Sequence, residues 1–179
     1  MLKKAATLIL LLSVAFGVML LSTRSATFIV QDSLALKEDP ARVWQVLQDV
    51  GAWPRWWPGV ETARLGSSWA EGEQLELVFK GNPAAGPARI DQWRVGREIA
   101  FSRDGVLGSR AGTSLQLESQ PGVVLVTVES VVRGPQAFLA RFTGREAFSA
   151  YHQRLLAGLA KQARQYDFSG AAKEPAGGR

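Results

Sequence analysis

The chain has 179 residues, a formal net charge of +5, one histidine and no cysteine. These counts exclude disulfides, thiol nucleophiles, thiolate metal sites, histidine-built metal centres and any mechanism that needs two imidazoles. Lys3 and Lys4 carry two of the five net charges and the rest is dispersed over arginine-rich positions, so the basic balance does not describe a nucleic-acid surface.

Residues Ala5 to Leu21 form an apolar run behind Lys3 and Lys4. With Ser22 and Thr23 the run (5–23) approaches the length needed to cross a hydrocarbon core of about 30 Å. It reads as a retained N-terminal transmembrane helix within residues 1–25. The two lysines would stay on the cytoplasmic side, placing the remaining domain on the extracytoplasmic side, periplasmic or extracellular, of a single-pass membrane protein. The alternative is a cleaved secretory signal, with Ala15 and Gly17, or Thr23 and Ser25, as the small-residue pair, which would leave a secreted protein.

Thr27 to Leu36 alternates with Phe28, Val30, Leu34 and Leu36 on one parity and predicts a first strand. Asp39 is a suitable N-cap and Pro40 a suitable first helical residue. Val43, Val46, Leu47 and Val50 then recur at helical spacing, and Gly51 is expected to end that helix. Next comes Ala52 to Gly59, with Trp53, Trp56 and Trp57 between Pro54 and Pro58. Two prolines allow one short helical turn there at most.

From Val60 the pattern becomes strands joined by short turns: Val60 to Leu65, Gln74 to Lys80, Ala88 to Val95, Glu98 to Arg103, Thr113 to Glu118 and Val123 to Val132. Ile90 and Trp93 fall on opposite parities of one strand. Gly105 to Gly112 reads as a mobile loop. Gly134-Pro135 opens a closing helix to about Tyr166, whose apolar stripe runs through Phe138, Phe142, Phe148, His152, Leu155, Leu159, Ala163 and Tyr166. Gly144 is its weak point. Residues 169–179 are small, polar and glycine-rich and are expected to be a disordered tail, leaving 26–168 as one ligand-binding domain.

The short links favour an antiparallel meander. The predicted fold is therefore α+β, with a curved seven-stranded antiparallel sheet wrapped around the long C-terminal helix and two short helices after the first strand. A sheet curled on a helix leaves an apolar space that suits a ligand. The stretch Asp39-Pro40-Ala41-Arg42-Val43-Trp44, followed by Asp49, Trp53-Pro54, Trp56 and Pro58, resembles the opening of the SRPBCC superfamily, the helix-grip fold of START, Bet v 1-like and polyketide cyclase/dehydrase-like proteins. Arg89 to Phe101 and Tyr151-His152 with Leu155 are similar to its centre and end. The resemblance covers about residues 26–166. It implies a hydrophobic small molecule or lipid as partner and supplies no universal catalytic motif, cofactor or metal site.

Trp53, Trp56, Phe79, Phe101, Leu117, Phe148 and His152 are the expected ligand-lining residues. The plainer reading of the tryptophans is packing at the helix–sheet junction, and Trp57 has a further alternative as a residue exposed toward a membrane. His152 has three readings: a satisfied histidine with a backbone carbonyl, Asp91 or Glu129 as partner; a ligand contact; or an acid/base catalyst. Three functions follow: a non-catalytic binding protein, an aromatase/cyclase-like enzyme acting through His152, and a partner-binding module that uses the surface around Trp57 or the Gly105 to Gly112 loop. The oligomeric state has no sequence signal.

Overall fold

The computed structural model describes residues 11–14, 17–18, 23–81 and 86–166. Strand β1 spans Thr27–Leu36, helix α1 Pro40–Gln48 and helix α2 Trp53–Trp56. Strands β2 (Val60–Leu65), β3 (Gln74–Phe79), β4 (Ala88–Arg94), β5 (Glu98–Asp104), β6 (Arg110–Gln120) and β7 (Val123–Arg133) follow, and helix α3 (Pro135–Gln165) closes the order. The seven strands make one sheet in the order β1-β7-β6-β5-β4-β3-β2, every pair antiparallel. Each hairpin from β2 to β7 adds its strand beside the last, and β1 returns to pair with β7, with Val30 opposite Ser130 and Asp32 opposite Val128.

Alternation decides the faces. On β7, Val124, Val126, Val128, Ser130 and Val132 are buried, while Thr127, Glu129 and Val131 point the other way. Asp39 caps α1 through Oδ1, which accepts from the Ala41 backbone N–H at 2.7 Å. The helix stops at Gln48, not at Gly51. Asp49 is its C-cap, and a 3-10 turn over Val50–Ala52 carries the chain into α2. The last carbonyls of α1 have no helical partner. Indole N–H groups take their place: Trp53 donates to the Leu47 carbonyl at 2.9 Å and Trp69 to the Gln48 carbonyl at 3.0 Å.

Three further expectations are corrected. The register of β4 shifts between Ile90 and Gln92, and this bulge restores both Ile90 and Trp93 to the inner face despite their opposite parities. The Gly105 to Gly112 segment is not a loop throughout. A 3-10 turn occupies Val106–Gly108 and β6 starts at Arg110, because its backbone pairs with β5 and β7 from there. The apolar stripe of α3 does not run through Phe142, which is 72% exposed; Pro135 and Ala137 are buried, and fully buried side chains recur only from His152 onward.

The buried side chains form two clusters. The larger is built on Trp53, Leu75, Ile99, Leu115, Val126, Leu155 and their neighbours. The smaller holds Phe28, Val30, Val132 and Ala137, with Phe148 packed against it. Among the described residues no helix is long and apolar enough to cross a membrane. Most of the 5–23 run lies outside them, as do residues 169–179. Within that run, Leu11, Leu12, Val14 and Val18 are exposed.

Candidate functional site: a cavity with a polar layer behind its wall

A cavity of about 290 Å³ lies between α3 and one end of the sheet. Its apolar wall is Trp57, Leu77, Phe79, Phe101, Val132 and Phe148. Four polar side chains reach the same wall: Arg103, Thr113, Ser130 and Tyr151. The strands explain the placement. Thr113 pairs with Ser130 across β6 and β7, and Phe101 with Thr113 across β5 and β6, so the three side chains form an inward row.

Behind Ser130 runs a chain of hydrogen bonds. Ser130 Oγ is 2.8 Å from His152 Nε2, and His152 Nδ1 is 2.8 Å from Asp32 Oδ2. Ser149 Oγ donates to the other carboxylate oxygen, Oδ1, at 2.7 Å. His152 is fully buried, and Asp32 is the inward-facing residue between Val30 and Leu34 on β1. The directions of the bonds follow from chemistry. A carboxylate only accepts, so the shared proton of the Asp32–His152 contact belongs to Nδ1. In the neutral imidazole Nε2 is then bare, and the Ser130 hydroxyl donates to it. Asp32, Ser130 and His152 come from β1, β7 and α3 at one level, and this polar layer separates the two apolar clusters. A buried polar group without a partner is costly, and here each ring nitrogen has one.

Also on the cavity wall, the Trp57 indole N–H donates to the Tyr151 hydroxyl at 2.5 Å. Burial pushes the Tyr151 phenol above its ordinary value of 10.0, against smaller lowering effects from the Trp57 hydrogen bond and the charges of Arg103 and Arg154. The Arg103 guanidinium lies over the Phe79 ring, 5.0 Å from its centroid. Among the described residues it has no carboxylate within ion-pair distance.

Of the expected lining residues, Phe79, Phe101 and Phe148 are on the cavity wall. Trp53, Trp56, Leu117 and His152 are not. Trp53 and His152 are fully buried, and Trp56 and Leu117 belong to the main cluster. All six tryptophans join one network of ring contacts: Trp44–Trp93, Trp93–Trp69, Trp69–Trp53, and Trp53 with Trp56 and Trp57. The network ends at the cavity through Trp57 and Phe101, whose centroids are 6.0 Å apart. Trp57 is 3% exposed and does not face outward.

The expected partners of His152 are also corrected. Asp91 pairs with Arg110 at 2.9 Å, and Glu129 faces the opposite side of the sheet. There, Asp91, Glu98, Arg110, Glu129 and Arg133 line a broad depression of about 410 Å³. Its charged walls are open to solvent and lack the apolar enclosure that ligand sites require. Sequence reading missed Arg103, Thr113, Ser130 and Tyr151. Ser130 had a signal: it is the one hydroxyl on the inward parity of the valine row Val124, Val126, Val128 and Val132. Among the described residues no cluster of histidine, aspartate or glutamate can hold a metal ion.

A curled antiparallel sheet gripping a long C-terminal helix around an apolar cavity defines a helix-grip protein. The sequence profile of the family described as polyketide cyclase/dehydrase and lipid transport matches residues 27–164, and the chain belongs to that family. No curated protein matches it. The fold is similar to that of the hypothetical protein jhp0584 from Helicobacter pylori, at 14% identity and a TM-score of 0.62, over 76% of this chain and 88% of that one. It is similar to a START superfamily protein from Mycobacterium smegmatis, at 14% identity and 0.58, over 76% and 97%. It is also similar to the di-domain aromatase/cyclase StfQ from the steffimycin biosynthetic pathway, at 12% identity and 0.61, over 80% of this chain and 53% of that one.

Proposed function

We propose that this chain binds a hydrophobic small molecule or lipid in the cavity between α3 and the sheet. The observation that carries the reading is the cavity itself, an apolar space of about 290 Å³ with four polar side chains on its wall. Native mass spectrometry of the full chain tests it. A co-purifying adduct is expected, and Ala111→Trp, which fills the cavity from its wall, should remove it. No adduct with any added hydrophobic ligand, or one indifferent to Ala111→Trp, overturns the reading.

The proposal includes a membrane setting, with residues 5–23 as anchor and the domain extracytoplasmic. The apolar run and Lys3 and Lys4 support it. So does the geometry of one end of the domain. The Gly134 N–H donates to the Ala26 carbonyl at 2.9 Å, which fixes the start of β1 beside the start of α3. At that end Val106, Leu107, Leu139 and Phe142 are 63–72% exposed, an apolar surface of the kind that meets lipid. Flotation with vesicles of a chain lacking residues 1–22 should fall on replacing Leu107 and Phe142 with serine; unchanged flotation sinks this part.

One observation favours a second reading, an aromatase/cyclase-like enzyme. His152 does not reach the cavity, so it cannot touch a substrate, but Ser130 can, with His152 and Asp32 ordered behind it to draw its proton. Recovery of the bound molecule unaltered after incubation with the protein counts against this reading.

A further inference from the structure

Resting on the binding reading above, the hydrogen-bond directions at the cavity wall specify its ligand further. Ser130 has one proton, and with His152 neutral and its proton held on Nδ1 by the Asp32 carboxylate, that proton is committed to His152 Nε2. What Ser130 offers the cavity is therefore oxygen lone pairs, an acceptor. Arg103 is the reverse: a guanidinium has only donors, and no carboxylate among the described residues neutralises it. Tyr151 sides with Arg103. Its oxygen already accepts from Trp57, and burial keeps its phenol protonated, so its own hydrogen remains to be donated.

The cavity thus has two chemically opposite poles on a wall that also carries the aromatic rings of Trp57, Phe79 and Phe101. The pole at Arg103 and Tyr151 wants an anionic acceptor, for which a carboxylate matches the planar fork of the guanidinium. The pole at Ser130 wants a donor. A cationic amine there would have to shed its water as a full charge, and a hydroxyl would not. We propose that the ligand is an apolar hydroxy-carboxylate, bound with its carboxylate on Arg103 and Tyr151 and its hydroxyl donating to Ser130 Oγ.

Isothermal titration of the full chain in lipid nanodiscs, blanked against empty nanodiscs, tests this with ω-hydroxydecanoate, decanoate, decanol and ω-aminodecanoate. The hydroxy acid should bind about tenfold more tightly than decanoate, the worth of one hydrogen bond to a buried acceptor, and more tightly than decanol by at least as much. Ser130→Ala should erase the advantage over decanoate. Arg103→Gln should erase the advantage over decanol. Equal binding of all four compounds, tighter binding of the amine, or a hydroxyl advantage that survives Ser130→Ala overturns the inference while leaving the cavity as a binding site. Binding of none of them, when a hydrocarbon of the same length does bind, also overturns it; binding of neither removes the binding reading together with it.

Discussion

Ser130 Oγ and His152 Nε2 lie 2.8 Å apart across the boundary between the cavity and the core, so the hydroxyl faces the cavity on one side and is held by a fully buried ring on the other. The Asp32 carboxylate, 2.8 Å from Nδ1, sets the neutral imidazole as the Nδ1–H tautomer, so the hydroxyl donates to Nε2. Long-range proton–nitrogen correlation spectra of the labelled chain near neutral pH should show a protonated Nδ1 and a bare Nε2. A protonated Nε2 with bare Nδ1 would contradict the assignment.

The same layer has a stability consequence. Asp32→Asn keeps the shape but exchanges a charged acceptor for a neutral amide against both His152 and Ser149. The expected loss is about 1–3 kcal/mol in urea-induced unfolding. Asp32→Leu should cost more, because it leaves Nδ1 buried without a partner. An Asp32→Leu variant as stable as the native chain would show that the layer adds nothing.

Tyr151 titrates above its ordinary value, foremost because it is buried. An acid whose pKa is raised on folding adds stability that is complete below 10.0, the ordinary value, and is lost as pH rises from there through the raised folded value. Stability should therefore decline above pH 10.0 more steeply than in Tyr151→Phe. Trp57→Phe removes a donor that favours the phenolate and should raise the Tyr151 value further in ultraviolet titration. A fall on Trp57→Phe is the contrary result.

Gly158 is where α3 meets α2. A Cβ there would press into the Trp56 backbone carbonyl, which cannot swing away as a side chain would. Gly158→Ala should destabilise the domain by about 1–3 kcal/mol, as overpacking does, although alanine is the better helix former. Gly72→Ala is an instructive contrast: a Cβ there meets nothing within 4 Å, and its cost comes from a φ of +88° alone.

Asp39 closes the N-terminus of α1 through a side-chain bond to the Ala41 N–H. Asp39→Ala should cost about 0.5–2 kcal/mol and Asp39→Ser much less, read as denaturant midpoints. Equal losses would assign the effect to charge and not to the cap.

Much of this architecture was readable from residue order. Asp39-Pro40 announced the start of α1, the alternation from Val60 announced the strands, and Gly134-Pro135 announced α3. What escaped depended on partners distant in sequence. The inward set of β4 needed the bulge after Ile90, which parity counting does not contain. Phe142 fits an apolar stripe by spacing, yet it is 72% exposed and its ring meets Phe138 of the same helix. The site escaped for the same reason: Asp32 and His152 are separated by 120 residues and Ser130 and His152 by 22, and no local pattern marks an aspartate, a serine and a histidine that meet only on folding. Histidine drew attention by being alone in the chain; serine and aspartate, being common, did not.

The polar layer joins the opening strand, the final strand and the final helix. Until α3 emerges during synthesis, Asp32 and Ser130 sit on the inner sheet face with no imidazole between them, and the valine row around them has no cover. The sheet can be drafted early but cannot be sealed early. Such late closure, set by contacts of large sequence separation, makes the part of α3 from His152 onward the step that commits the domain, and a chain truncated before His152 would expose to proteolysis a sheet that is otherwise complete.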